Sequence, residues 1–113
     1  MSESCLFCRI ARGEIAATVV YRTPTVVAIR DISPQAPTHV LVIPTAHVES
    51  LNDVTDGSFL GDLLLAAREV AKLEKVETRG YRVVVNTNAE AGQSVPHLHL
   101  HVLGGRAMEW PPG

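Results

Sequence analysis

The chain reads as a single domain of mixed helix and strand. Three observations carry that expectation: five short runs with strand character, one long segment with helical apolar spacing, and a length that suits one hydrophobic core. At 113 residues, 46% apolar and 19% charged, the chain can bury such a core without disulfide help. No internal repeat, low-complexity tract or long linker divides it, so residues 1–113 are expected to form one domain.

Taken in order, Leu6, Phe7, Ile10 and Ala11 are spaced for one or two helical turns, which Gly13 would end. Thr18–Tyr21 and Val26–Ile29 are rich in β-branched residues and flank Arg22-Thr23-Pro24-Thr25, a hairpin pattern. Prolines stiffen the next loop, Ser33 to Pro37. His39–Ile43 reads as a third strand stopping at Pro44.

Asp56 or Thr55 can cap the long helix, whose apolar stripe comprises Leu60, Leu63, Leu64, Ala67, Val70 and Ala71. It should run to about Lys75, with Gly80 beyond its end. Tyr81–Asn86 forms a fourth strand. A polar loop follows, Thr87 to Pro96, before a fifth strand over His97–Leu103.

That fifth strand carries the chemistry. In His97-Leu98-His99-Leu100-His101-Val102-Leu103 the residues alternate strictly, so the three imidazoles share one face and the apolar residues the other. Along a strand those imidazoles would stand about 6.5–7 Å apart. Imidazole can serve as base, acid, nucleophile or metal ligand at neutral pH, and the row alone leaves catalysis and metal binding both open. The loop before it could present backbone N–H groups to a phosphate.

Net charge is −2, without the basic footprint of a nucleic-acid binder. No apolar run approaches the roughly 18 residues of a membrane span. Met1-Ser2-Glu3-Ser4-Cys5 lacks signal-peptide features. A cytoplasmic protein, binding neither nucleic acid nor membrane, is expected. There Cys5 and Cys8 favour reduced ligands over a structural disulfide. A Cys-x-x-Cys by itself can be a redox pair, half a metal site or coincidence.

The histidine strand resembles the signature of the histidine triad superfamily. Asp31-Ile32-Ser33-Pro34-Gln35-Ala36-Pro37-Thr38-His39, Asn86, Gly92-Gln93-Ser94 and Trp110-Pro111-Pro112-Gly113 are similar to its nucleotide-binding branch. The resemblance implies an α+β fold with a five-stranded antiparallel sheet and one long and one short helix. It also implies a homodimer joined into a ten-stranded sheet.

The implied activity is hydrolysis of the P–N bond in purine nucleoside 5'-phosphoramidates, through a covalent nucleotidyl-histidine. His99 would be the nucleophile and His101 a donor to the phosphate; His39 and Ser94 match positions near the leaving amine. A strand-end histidine capped by backbone groups is the alternative for His39.

Asp31 matches the residue that accepts from the ribose hydroxyls, although an aspartate there can also bond its own turn. Asn86, Gly92 and Gln93 correspond to phosphate- and ribose-contacting positions. Phe7, Ile29 and Ile32 fall where the base pocket is expected, and each can equally be core. Ile29 stands where relatives commonly have phenylalanine, and Pro96 where eukaryotic relatives often have an aromatic residue.

Bacterial relatives resemble this chain in a further way, which implies a closed structural zinc site of Cys5, Cys8, His47 and His97. Because cysteine-free relatives lack that metal, the resemblance implies that the chemical step does not need it. Two alternatives accompany the phosphoramidase reading. One is a dinucleoside polyphosphate hydrolase or nucleotidyltransferase, which His101 and Trp110–Gly113 disfavour. The other is a zinc-stabilised nucleotide-binding or scaffold protein without turnover, which the complete His39, Ser94, His99 and His101 set disfavours.

Overall fold

Two central strands are apolar on both faces, and this decides the layering. In the computed structural model, which describes residues 4–113, they are β2 (Val26–Arg30) and β3 (Thr38–Pro44). Met1–Glu3, read above for leader features, lie outside the described residues. With β1 (Val19–Arg22), β4 (Tyr81–Val84) and β5 (Leu100–Gly104) they form an antiparallel sheet in the order β1-β2-β3-β5-β4.

Because side chains alternate, each central strand supplies two cores. Val26, Ala28, Val40 and Val42 join Leu98, Leu100 and Val102 under the long helix α2 (Gly57–Leu73), against Leu63, Ala66, Ala67 and Val70. Val27, Ile29, Leu41 and Ile43 face the other way, onto Phe7 and Ile10 of α1 (Leu6–Ala11). His101 of β5 shares this second face, since it lies opposite Leu41 in the ladder.

The Asp56 carboxylate caps α2 by accepting from the Ser58 N–H at 3.0 Å. The helix ends at Leu73, two residues before the expected end, as Lys75 turns left-handed at φ 61°. Leu64 departs from the expected stripe and is 54% exposed. The buried stripe follows Leu63, Ala66, Ala67, Val70 and Ala71 instead, with alanines allowing close approach to the sheet. A bidentate pair from Arg30 to Glu74, 2.8 and 2.7 Å, ties the C-terminal end of α2 to β2.

Two other expectations change. The Thr87–Pro96 loop contains a third helix, α3 (Asn88–Ala91), which Gly92 closes at φ 83°. The β5 ladder begins at Leu100, so His97 and His99 precede it. Loops hold that approach: the His97 N–H donates to the Val95 carbonyl and the Leu98 N–H to that of Val48.

Candidate active site

Antiparallel pairing of β3 with β5 puts His39 opposite Leu103 and Leu41 opposite His101, which brings two imidazoles 62 positions apart into contact. His39 Nε2 lies 2.9 Å from His101 Nδ1. The Gln35 backbone N–H donates to His39 Nδ1 at 3.0 Å. His39 Nδ1 is therefore an acceptor, its proton sits on Nε2, and that N–H donates to His101 Nδ1. His101 must in turn carry its own proton on Nε2. Asp31 Oδ2 lies 3.4 Å from the same His39 Nε2.

His99 is held in the opposite tautomer. Its Nδ1–H donates to the His97 carbonyl at 2.8 Å, which leaves the Nε2 lone pair unprotonated. The ring meets His101 at a centroid distance of 5.1 Å and Phe7 edge-to-face at 5.0 Å. The constellation thus offers one nitrogen lone pair beside one N–H donor. A nucleophile and an electrophilic stabiliser need that pairing.

Burial sets the charge. It pushes the His97 and His99 imidazoles below the ordinary histidine range. It takes His101 down to about 4, with the neighbouring His99 and His39 adding to the effect. All three rings are neutral at pH 7, so His99 presents its lone pair without first losing a proton.

A second cluster joins the N-terminus to the same strand. Cys5 Sγ lies 3.3 Å and Cys8 Sγ 3.5 Å from His97 Nδ1, while Cys8 Sγ is also 3.3 Å from His47 Nδ1. The two Nδ1 atoms are 3.2 Å apart, and all four ligand atoms fall within 4.8 Å of one another. Tetrahedral zinc at ordinary bond lengths needs edges of about 3.4 Å between nitrogens and about 3.6 Å between nitrogen and sulfur. The donor set fits. His97 Nε2–H donates to the Pro44 carbonyl at 2.8 Å, which turns its Nδ1 lone pair toward the cysteines.

The expected nucleotide contacts divide into three groups. Leu6, Ile10, Ile15, Ile29, Asp31 and Ile32 line an apolar hollow of about 540 Å³ with Asp31 as its acid. Ile32 is fully exposed there, whereas Phe7 and Ile29 are core residues. One Asp31 oxygen accepts from the Ser33 N–H at 2.8 Å, so the aspartate does make its own turn.

Gln93 is engaged with its loop: it accepts from the Asn88 N–H and donates to the Glu49 and Val95 carbonyls. Asn86 is half-buried just beyond β4. Ser94 is exposed and lines a separate hollow with Cys5, His47 and Glu49, which the His39, His99 and His101 side chains do not line.

The pattern of known proteins agrees with this geometry. A family model, the HIT domain, matches residues 12–108. The chain belongs to the histidine triad family. Among curated HIT relatives, the purine nucleoside phosphoramidase of Escherichia coli K12 is 44% identical over 110 residues, covering 96% of this chain and 92% of the relative. An uncharacterized HIT-like protein of Synechococcus elongatus is 47% identical over 115 positions, spanning both chains in full. The crystal structure of a HIT family hydrolase from Legionella pneumophila has a TM-score of 0.94 and 52% identity, covering 97% of this chain and all of that one. A histidine triad protein from Clostridium difficile follows at 0.89 and 38%, covering 93% of each.

Two parts of this HIT site escape sequence reasoning. The Gln35 donor that sets the His39 tautomer is a main-chain group, and no side-chain pattern announces it. Phe7 is expected from the sequence as an apolar helix position and a base-pocket residue, and neither expectation says that its ring meets His97 and His99.

Proposed function

We propose that the protein hydrolyses purine nucleoside 5'-phosphoramidates, with His99 as nucleophile. The single observation that carries this reading is the tautomer pair, a His99 Nε2 lone pair beside a His101 Nε2–H. His99 Nε2 attacks the α-phosphorus while the P–N bond breaks and the amine leaves with a proton. Water then attacks the nucleotidyl-histidine, returns His99 and releases the nucleoside monophosphate. His101 donates to a non-bridging oxygen as charge builds there.

His39 has both ring nitrogens occupied, so it acts through His101 and fixes that ring's tautomer. The resemblance assigns the donor to the leaving amine to Ser94, whose exposed side chain would have to swing out of the Cys5–His47–Glu49 hollow to reach it. The apolar hollow ending at Asp31 suits a purine with its ribose, and by the resemblance Asn86, Gly92 and Gln93 would border the phosphate. The E. coli relative's name supports the same substrate class.

Cys5, Cys8, His47 and His97 would hold zinc as a closed structural site, clamping the N-terminal segment to the histidine strand. Two thiol ligands suit a reducing cytoplasm. Among the described residues, no helix is long and apolar enough to cross a membrane. The homodimer is what the resemblance implies; among the described residues β4 is one of two sheet edges and pairs only with β5, and Leu64 on α2 is exposed. Sedimentation at micromolar concentration should give twice the chain mass; a monomer there contradicts the dimer.

The functional reading is tested with adenosine 5'-phosphoramidate and a panel of N-substituted analogues. Release of AMP and free amine is expected. Tight AMP binding with no turnover on any analogue would support a nucleotide-binding protein instead.

A further inference from the structure

His99 depends on two neighbours: one belongs to the cysteine–histidine cluster and the other lies between its two cysteines in sequence. The first is the His97 carbonyl, which accepts the His99 Nδ1–H at 2.8 Å. His97 lies ahead of the β5 ladder, so sheet pairing does not set that carbonyl's direction. The planar His97–Leu98 peptide is held by two groups tied to the cluster. The Leu98 N–H donates at 2.7 Å to the carbonyl of Val48, the residue after His47. The fully buried His97 ring donates to Pro44 and turns its other nitrogen to Cys5, Cys8 and His47.

The second neighbour is Phe7, which sits between the two cysteines in sequence. Its ring stands at 80° to both His97 and His99, with centroids 5.9 and 5.0 Å away. Helix α1 has six residues, and its N-cap Cys5 makes no side-chain capping bond. So short a helix has little stability of its own, and its place must come from what it packs on and what clips it.

We infer that the Cys5–Cys8–His47–His97 clip is a positioning device for the nucleophile, acting on His99 through the His97 carbonyl and the Phe7 ring. The clip holds the carbonyl where it selects the Nδ1–H tautomer, and it holds Phe7 where it blocks rotation of the imidazole. Phe7 is a positioning residue and not merely a wall of the base pocket. In this chain the metal site therefore contributes to the rate. The inference rests on the reading of His99 as nucleophile and of the clip as a zinc site.

The test compares zinc-loaded protein, chelator-treated protein, and zinc-loaded Phe7→Leu and Phe7→Tyr variants. Proton–nitrogen NMR of histidine-labelled protein reads the His99 tautomer without reference to turnover. Zinc removal should convert a single Nδ1–H form into a mixture of tautomers. Phe7→Leu should keep its zinc and fold yet lose about ten- to hundredfold in kcat, as a slightly misplaced reacting group does. Its KM should stay within about twofold, because lost positioning acts on the transition state and a lost base contact acts on binding. Phe7→Tyr should recover most of the rate.

A Phe7→Leu protein with wild-type kcat overturns the inference, as does a zinc-free but folded protein with unchanged His99 signals. If chelation unfolds the chain, the two Phe7 variants decide. Should the wild type turn over no phosphoramidate, the functional reading fails separately, and the tautomer comparison still reports on positioning.

Discussion

His39 donates its Nε2 proton to His101 Nδ1 across 2.9 Å, so a residue of β3 determines which nitrogen of a β5 residue can face a phosphate. Removing that donor should matter more for rate than for folding. His39→Leu is expected to lower kcat by about a hundredfold, within the span usual for one acid–base group. His39→Gln, whose amide can donate along the same line, should regain part of the loss. Steady-state kinetics of the two variants check this, and equal activities would contradict it.

The titration of the site gives a second expectation. Burial holds His99 below the ordinary histidine range, so the neutral ring persists into mildly acidic solution. The acid limb of kcat/KM should therefore fall below the unperturbed value of about 6.5. A pH–rate profile that bends at or above that value would be inconsistent with a buried neutral nucleophile.

Stability should respond to the same groups. His101 has a folded value of about 4 against an unperturbed 6.5. Above that window both states are neutral and the group contributes nothing. As pH falls through it, the unfolded chain takes up a proton that the folded chain refuses, and stability declines. Below about pH 4.5 the loss of the Arg30–Glu74 pair adds to the decline, since Arg30 holds the Glu74 carboxyl below its usual range. Urea unfolding at pH 7.5, 5.5 and 4.5 should show midpoints falling in that order.

Much of this site could be read from the chain before its structure. Strict alternation over His97–Leu103 separates an imidazole face from an apolar one, and Leu98, Leu100 and Val102 do enter the core beneath α2. The His39–His101 contact was not readable, because it depends on the register between distant strands and on a main-chain N–H. Leu64 misleads for a related reason. Helical periodicity assigns a stripe about 100° wide, and only the packed sheet decides which flank of it is covered.

Asp31 supplies a separable test, since one oxygen makes a turn and the acid faces the apolar hollow. Asp31→Asn keeps an oxygen for the Ser33 N–H and removes the charge. It should raise KM for an adenosine substrate by about tenfold, the range of a hydrogen bond to a charged group, with little change in melting temperature. A fall in stability with unchanged KM would assign the aspartate to the turn alone.

For the metal, zinc at a hundred times its Kd should add about 2.7 kcal/mol to folding. Cys8→Ser should remove most of that, read as a lower urea midpoint that added zinc no longer raises.

The central claim is covalent attack by His99, and intact-mass analysis of acid-quenched protein tests it most directly. Wild type caught early with an adenosine phosphoramidate should carry one nucleotidyl group per chain, mapped to His99, and His99→Ala should carry none and turn over no substrate. An adduct on another residue, or His99→Ala hydrolysing at the wild-type rate, would contradict the account.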